Sequence, residues 1–205
     1  MAELLVYDLT TSGGVAADLR KVLVKFSRAC DEVAAFADKK QQYNSRYLAA
    51  VFGDDLQKKY LLPSGLAECV CRRVGHDFTR MNPNAARRDR RENVPNYYGN
   101  DWMLYSSETA SVGMKTIEPW RTDYPLTVSL GVLKKHNKAN GKDEPQRVKD
   151  VPFELTTEPL PAGEGWHNQE IRLYSSEGGK KWSLRIAVGV TDEAEDEKDT
   201  TQNPD

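Results

Sequence analysis

The chain has 205 residues, 39% of them hydrophobic, and a formal charge of −2, enough for a sizeable core in one domain or for two small domains sharing an interface. No apolar run approaches the roughly 20 residues that cross a bilayer. The start MAELLVYDL lacks the basic opening and long apolar centre of a secretory signal, so the expectation is a soluble cytoplasmic protein without a membrane partner.

Residues 3–10 (ELLVYDLT) read as a short strand, ended by Ser12, Gly13 and Gly14. The period then changes. Leu19, Val22, Leu23, Phe26, Cys30, Val33 and Phe36 recur at three- and four-residue steps, which predicts one helix from about Val15 to Ala37. Asn44 is a cap for a second helix carrying Tyr47, Leu48, Val51 and Phe52, with Gly53 expected to close it. Pro63 and Ser64 start a third, whose apolar stripe of Leu66, Val70, Val74, Phe78 and Met81 runs to a stop at Asn82 and Pro83. Its remaining positions are polar: Glu68 and Arg72 are four apart, and Arg73, His76 and Arg80 are expected to point away from the core.

After Asn96 the pattern turns to strands, with WMLY at 102–105, ASVGMKTI at 110–117, LTVSLGVL at 126–133, VPFEL at 151–155 and IRLY at 171–174. Gly178 and Gly179 form a hairpin turn before Trp182, Leu184, Ile186, Val188 and Val190, which alternate as in a strand covered on one face. The lysine-rich stretch from Lys134 to Asp150 reads as a loop, with an exposed turn at Asn140-Gly141. One strand, three helices and a run of strands imply an α+β fold in which the helices are inserted into a β-barrel.

Signatures of catalysis are missing: there is no Gly-rich phosphate loop after a strand, no GxSxG elbow and no HExxH. Cys30, Cys69 and Cys71 cannot make an even disulfide framework, and with His76, His136 and His167 scattered they offer no metal-ligand spacing, so no cofactor or metal is expected. The balanced charge hides an asymmetry. Asp192 to Asp205 holds seven acidic residues and one lysine, a tail expected to stay solvated and disordered, while Arg72 to Arg91 holds seven arginines against Asp77 and Asp89. Arg80, Arg87, Arg88, Arg90 and Arg91, with Tyr97, Tyr98 and Trp102 close behind, combine phosphate-binding guanidiniums with aromatic faces for stacked bases. That combination suits a nucleic-acid groove, and a solvated face with some core aromatics is the competing account.

The stretch "FSRACDEVAAFADKKQQYNSRYLAAVFGDDLQKKYLLPSGLAECVCRRVGHDF" resembles the N-terminal part of TnpB proteins, the transposon-encoded RNA-guided nucleases related to type V CRISPR effectors. The matching features are a helix centred on "ACDEVAAFA", a spacer ending in "KYLLPSGLA" and a helix reading "ECVCRRVGHDF". Downstream, "YSSETASVGMKTIE", which contains Lys115, is similar to strands of that family's wedge domain, and "EIRLYSSEGGKKWSLRIAVGV" to its closing hairpin.

The resemblance implies a wedge/OB-like β-barrel interrupted after its first strand by a helical recognition lobe. On that division residues 1–12 are the first strand, 13–95 the recognition lobe, 96–191 the rest of the wedge and 192–205 the acidic tail. It implies guide RNA and target DNA as partners, with sequence read by base pairing. By position, Ser64, Glu68 and Arg72 would read the motif beside the target, Tyr47 would stack or contact the backbone, and Arg73, His76, Arg80, Arg87, Arg88, Arg90, Arg91, Tyr97, Tyr98 and Lys115 would complete the nucleic-acid-binding set. In the family a RuvC-like nuclease and a zinc ribbon with two CxxC pairs follow the closing strand, whereas here that strand ends at Val190 and no CxxC occurs. The expectation is a non-enzymatic subunit, with cleavage supplied by a separate RuvC-like chain. A non-cleaving DNA- or RNA-binding regulator and a remnant interaction module of a transposon protein are the alternatives.

Overall fold

The computed structural model describes residues 2–81, 94–106, 109–112, 126–156 and 166–190. In chain order these form β1 (Ala2–Leu9), α1 (Gly13–Lys40), α2 (Ser45–Lys59), α3 (Ser64–Met81), β2 (Trp102–Tyr105), β3 (Ala110–Val112), β4 (Leu126–Asn137), β5 (Lys142–Leu155), β6 (Trp166–Ser176) and β7 (Lys181–Val190). The fold is α+β. Among the described residues no helix is long and apolar enough to cross a membrane.

Every strand pairing is antiparallel, in the order β2-β6-β7-β1-β5-β4-β3. β1 lies inside the sheet between β7 and β5, although three helices separate it from both along the chain. The edge strands β2 and β3 are joined by the short segment 106–109. In a flat sheet, six strand spacings of about 4.8 Å would hold them about 29 Å apart. Five peptide units reach about 18 Å at most. The sheet therefore has to curl into a half-barrel that brings its edges together. Tyr105 of β2 spans the inside, its hydroxyl donating to the Gly131 carbonyl of β4 at 2.9 Å.

Alternation decides which side chains face inward. Leu5, Tyr7 and Leu9 of β1 are buried while Asp8 is exposed, and Val128, Leu130, Phe153, Leu173, Leu184 and Ile186 fill the same interior. The Tyr7 ring meets Phe153 edge-on at 4.8 Å, and burial pushes its phenol pKa up to about 12. A single apolar core continues from this interior through the buried stripes of α1 and α3.

Helix ends follow local chemistry. The Ser12 hydroxyl accepts from the Val15 amide, so α1 starts at Gly13. Asn44 caps α2 as its side chain predicts, accepting from the amides of Arg46 and Tyr47. Gly53 does not close α2. A Cβ there would meet nothing within 4 Å, and the helix runs on to Lys59, ending where Leu61 takes a positive φ of 57° just ahead of Pro63. The expected stop of α3 at Asn82 and Pro83 lies outside the described residues. Gly75 sets how α2 and α3 approach, since a Cβ on it would fall 2.7 Å from the Tyr43 carbonyl oxygen.

The stretch from Lys134 to Asp150 is not a loop. β4 continues to Asn137 and β5 begins at Lys142, with Gly141 at φ 66° in the turn between them. Polar residues occupy both faces of this hairpin, so no apolar alternation marks it as a strand.

Candidate nucleic-acid interface

Helix α3 is enclosed on most of its circumference by α1, α2 and β2. Leu66, Ala67, Val70, Val74 and Phe78 are buried, and exposure is confined to a narrow line at four-residue steps: Ser64, Glu68, Arg72, His76 and Arg80, with Thr79 alongside. A step of four on a helix of 3.6 residues per turn keeps these side chains in one slowly winding row. Arg72 is exposed but anchored, its guanidinium reaching the carbonyl oxygen of Tyr105 at 3.4 Å.

The row begins at a cleft of about 470 Å³, where Ser64 and Gly65 at the N-terminus of α3 face Thr109, Gly131 and the β5 residues Arg147 and Lys149. The Leu66 and Ala67 amides both bond the Pro63 carbonyl, and the first turn of α3 carries no acidic residue. The helix dipole therefore presents its positive end here beside two cationic side chains. Such a cleft favours an anion with several acceptor oxygens.

Two expected site residues are not on the surface. Arg73 is 4% exposed. It falls on the α3 arc that faces β2: its Nη1 donates to the Trp102 carbonyl at 2.7 Å, its Nε lies 3.5 Å from an Asp77 carboxylate oxygen, and its guanidinium covers the rings of Trp102 at 3.5 Å and Tyr97 at 4.9 Å. Tyr97 is buried as well, so it offers no face to a stacked base. Its hydroxyl donates to Asp77 at 3.0 Å, its amide donates to Asp31 at 2.8 Å, and burial with the Asp77 charge holds its phenol far above the usual range. The sequence reading that these polar groups point outward is corrected: Arg73 ties α3 to β2, and Tyr97 ties the segment before β2 to α1 and α3.

Tyr47 is exposed in the first turn of α2, and Tyr98 is 89% exposed. Arg87, Arg88, Arg90, Arg91 and Lys115 lie outside the described residues, as does the tail from 191 on. The structure thus brings Ser64, Glu68, Arg72, His76 and Arg80 onto one row and adds Arg147 and Lys149, which sequence reasoning assigned to a loop.

A second basic and aromatic group also escaped that reasoning. On β2, β6 and β7, Trp102 stacks on its cross-strand neighbour Tyr174 at 5.8 Å, Arg172 covers Trp102 at 4.9 Å and Arg185 covers Tyr174 at 4.0 Å. Arg172 and Arg185 are directly opposite each other in the register. Repulsion between them is offset by the two rings and by Glu170, which bonds Arg172. The signal was present at Gly178-Gly179, since pairing residues outward from that turn brings the two arginines together.

Among the described residues no cluster of His, Cys, Asp or Glu is arranged to hold a metal ion. The chain matches no protein-family model and no curated protein.

Proposed function

We propose that this chain is the nucleic-acid-binding part of an RNA-guided, TnpB-like DNA-targeting system, holding guide RNA and target DNA while a RuvC-like nuclease supplies cleavage. The observation that carries the reading is the cationic cleft at the start of α3, where Ser64, Arg147 and Lys149 converge on a helix N-terminus. Phosphodiester oxygens are the anions such a cleft takes up, and the exposed row from Glu68 to Arg80 extends from it along the helix. Within that row Glu68 is the carboxylate able to accept from a cytosine amino group, and Arg72 and Arg80 are suited to phosphate. The element order lends support, because a β1 whose sheet partners come only after three helices has the order of a wedge barrel with a recognition lobe between its first and second strands.

The test is to purify the full chain from its native host and sequence whatever nucleic acid accompanies it. The expected result is a discrete RNA. A chain that purifies free of nucleic acid and binds neither labelled RNA nor labelled DNA at low salt contradicts the reading.

A further inference from the structure

The β4–β5 hairpin leaves the sheet. β3 pairs with β4 only at Val128 to Leu130, and β1 meets β5 only at Phe153 to Leu155. Past those positions β4 and β5 pair with each other alone among the described residues, down to Asn137↔Lys142. Its root is held where the Lys134 amide donates to the Leu61 carbonyl at 2.7 Å and the Lys134 ammonium to Gln57 at 3.0 Å. What extends beyond Lys134 is a two-stranded ribbon that runs about 10 Å to Asn137, at about 3.3 Å per residue, and ends in the turn that carries Lys138.

The chemistry of the ribbon is cationic, and two of its acids, Asp143 and Glu144, are engaged within it. Residues 134–150 carry six Lys and Arg against three Asp and Glu. Glu144 accepts from the amides of Asn137 at 2.9 Å and Asn140 at 2.8 Å, which holds its carboxyl below the ordinary range. Asp143 lies 3.0 Å from His136. The ammonium groups of Lys135, Lys138, Lys142 and Lys149 have no hydrogen-bond or ion-pair partner among the described residues, and all four lysines are exposed. No large apolar side chain is exposed on the ribbon, so it lacks the anchor that a protein interface would use.

We infer that this ribbon docks into the major groove of duplex DNA, with Lys135, Lys138 and Lys142 at its tip on the flanking phosphates. Two paired strands with their side chains match a groove about 12 Å wide, and the minor groove at about 6 Å is too narrow for them. A-form RNA presents a deep, narrow major groove that side chains do not enter, which favours DNA as the occupant. At the root, Arg147 and Lys149 line the cleft at α3, so one duplex can run from the cleft onto the ribbon. The inference rests on the nucleic-acid reading and names the ligand and the element that would hold it.

The experiment compares the full chain with the triple variant Lys135→Ala, Lys138→Ala, Lys142→Ala and with the triple Lys→Arg variant, using labelled duplex DNA and labelled single-stranded RNA over a range of salt. The alanine variant is expected to bind the duplex about tenfold or more weakly, its log–log salt slope reduced by about 2 to 3, with RNA affinity nearly unchanged and duplex binding retained in the arginine variant. Methyl green, which occupies the major groove, is expected to displace the wild-type chain, and netropsin in the minor groove is not. Wild-type binding to the duplex with no loss in the alanine variant overturns the ribbon while leaving the function standing, as does an equal loss on RNA or displacement by netropsin alone. A wild-type chain that binds no nucleic acid overturns both.

Discussion

The guanidinium of Arg73 lies 3.5 Å from the ring of Trp102, and the same arginine donates to the Trp102 carbonyl at 2.7 Å, so one side chain joins α3 to β2 through both ring and backbone. With Tyr97 beyond it and Asp77 beside it, this is a buried charge whose partners are all supplied by the fold. Removing the cation leaves the Asp77 carboxylate without its counter-charge and the Trp102 carbonyl without the Arg73 donor. Arg73→Ala is expected to cost about 3 kcal/mol in denaturant unfolding, and Arg73→Lys to recover only part of it, because an ammonium cannot cover a ring and reach the carbonyl in the same plane. Full recovery with lysine would show that charge alone matters there.

Two helical glycines separate packing from propensity. At Gly75 a Cβ would sit 2.7 Å from the Tyr43 carbonyl oxygen, so Gly75→Ala is expected to push α2 off α3 and cost about 1 to 3 kcal/mol. At Gly53 nothing lies within 4 Å, and alanine is expected to stabilise α2 by about 0.5 to 1 kcal/mol. Thermal unfolding of the two variants should therefore shift in opposite directions.

Acid sensitivity is expected at Glu32. Hydrogen bonds from the Lys59 ammonium at 2.7 Å and the Tyr60 hydroxyl at 2.6 Å hold its carboxyl below the ordinary 4.5. Because the folded value lies below the unfolded one, the carboxylate's contribution is complete above the unfolded value and disappears as the pH falls through the folded one. The melting temperature of Glu32→Gln should lie below that of wild type near neutrality, and the two should converge on acidification. A gap that stays constant with pH would show that the ion pair contributes nothing to stability.

The thiols should be inert in the native protein. Cys30, Cys69 and Cys71 are buried, and burial pushes Cys69 up to about 11 and Cys71 up to about 12, far from the thiolate range. With a disulfide reagent at about pH 8 no thiol is expected to react before unfolding, and all three after it. A fast-reacting thiol would show that α1 or α3 opens locally.

Legibility in the sequence followed how much of each residue's surroundings is local. The stripe of α1, the Asn44 cap and the strands on either side of Gly178-Gly179 could be read because period, cap and turn are written within a few residues. The ribbon could not be read as strand, since solvent lies on both of its faces and removes the alternation. Arg73 misled because its aromatic partners belong to a separate segment, and an arginine beside Arg72, with His76 and Asp77 one turn on, is indistinguishable in sequence from an exposed one. The cleft was hidden for the same reason: Ser64 was identified, while Arg147 and Lys149 reach it only through the pairing of β5 with β4.

The most direct test of nucleic-acid binding is equilibrium titration of the charge-reversed variant Arg147→Glu, Lys149→Glu against labelled RNA and DNA over a range of salt. If the cleft holds phosphate, affinity falls more than tenfold and the salt slope drops by about 2, while the melting temperature stays near that of wild type. Unchanged affinity and slope in the folded variant would contradict the account.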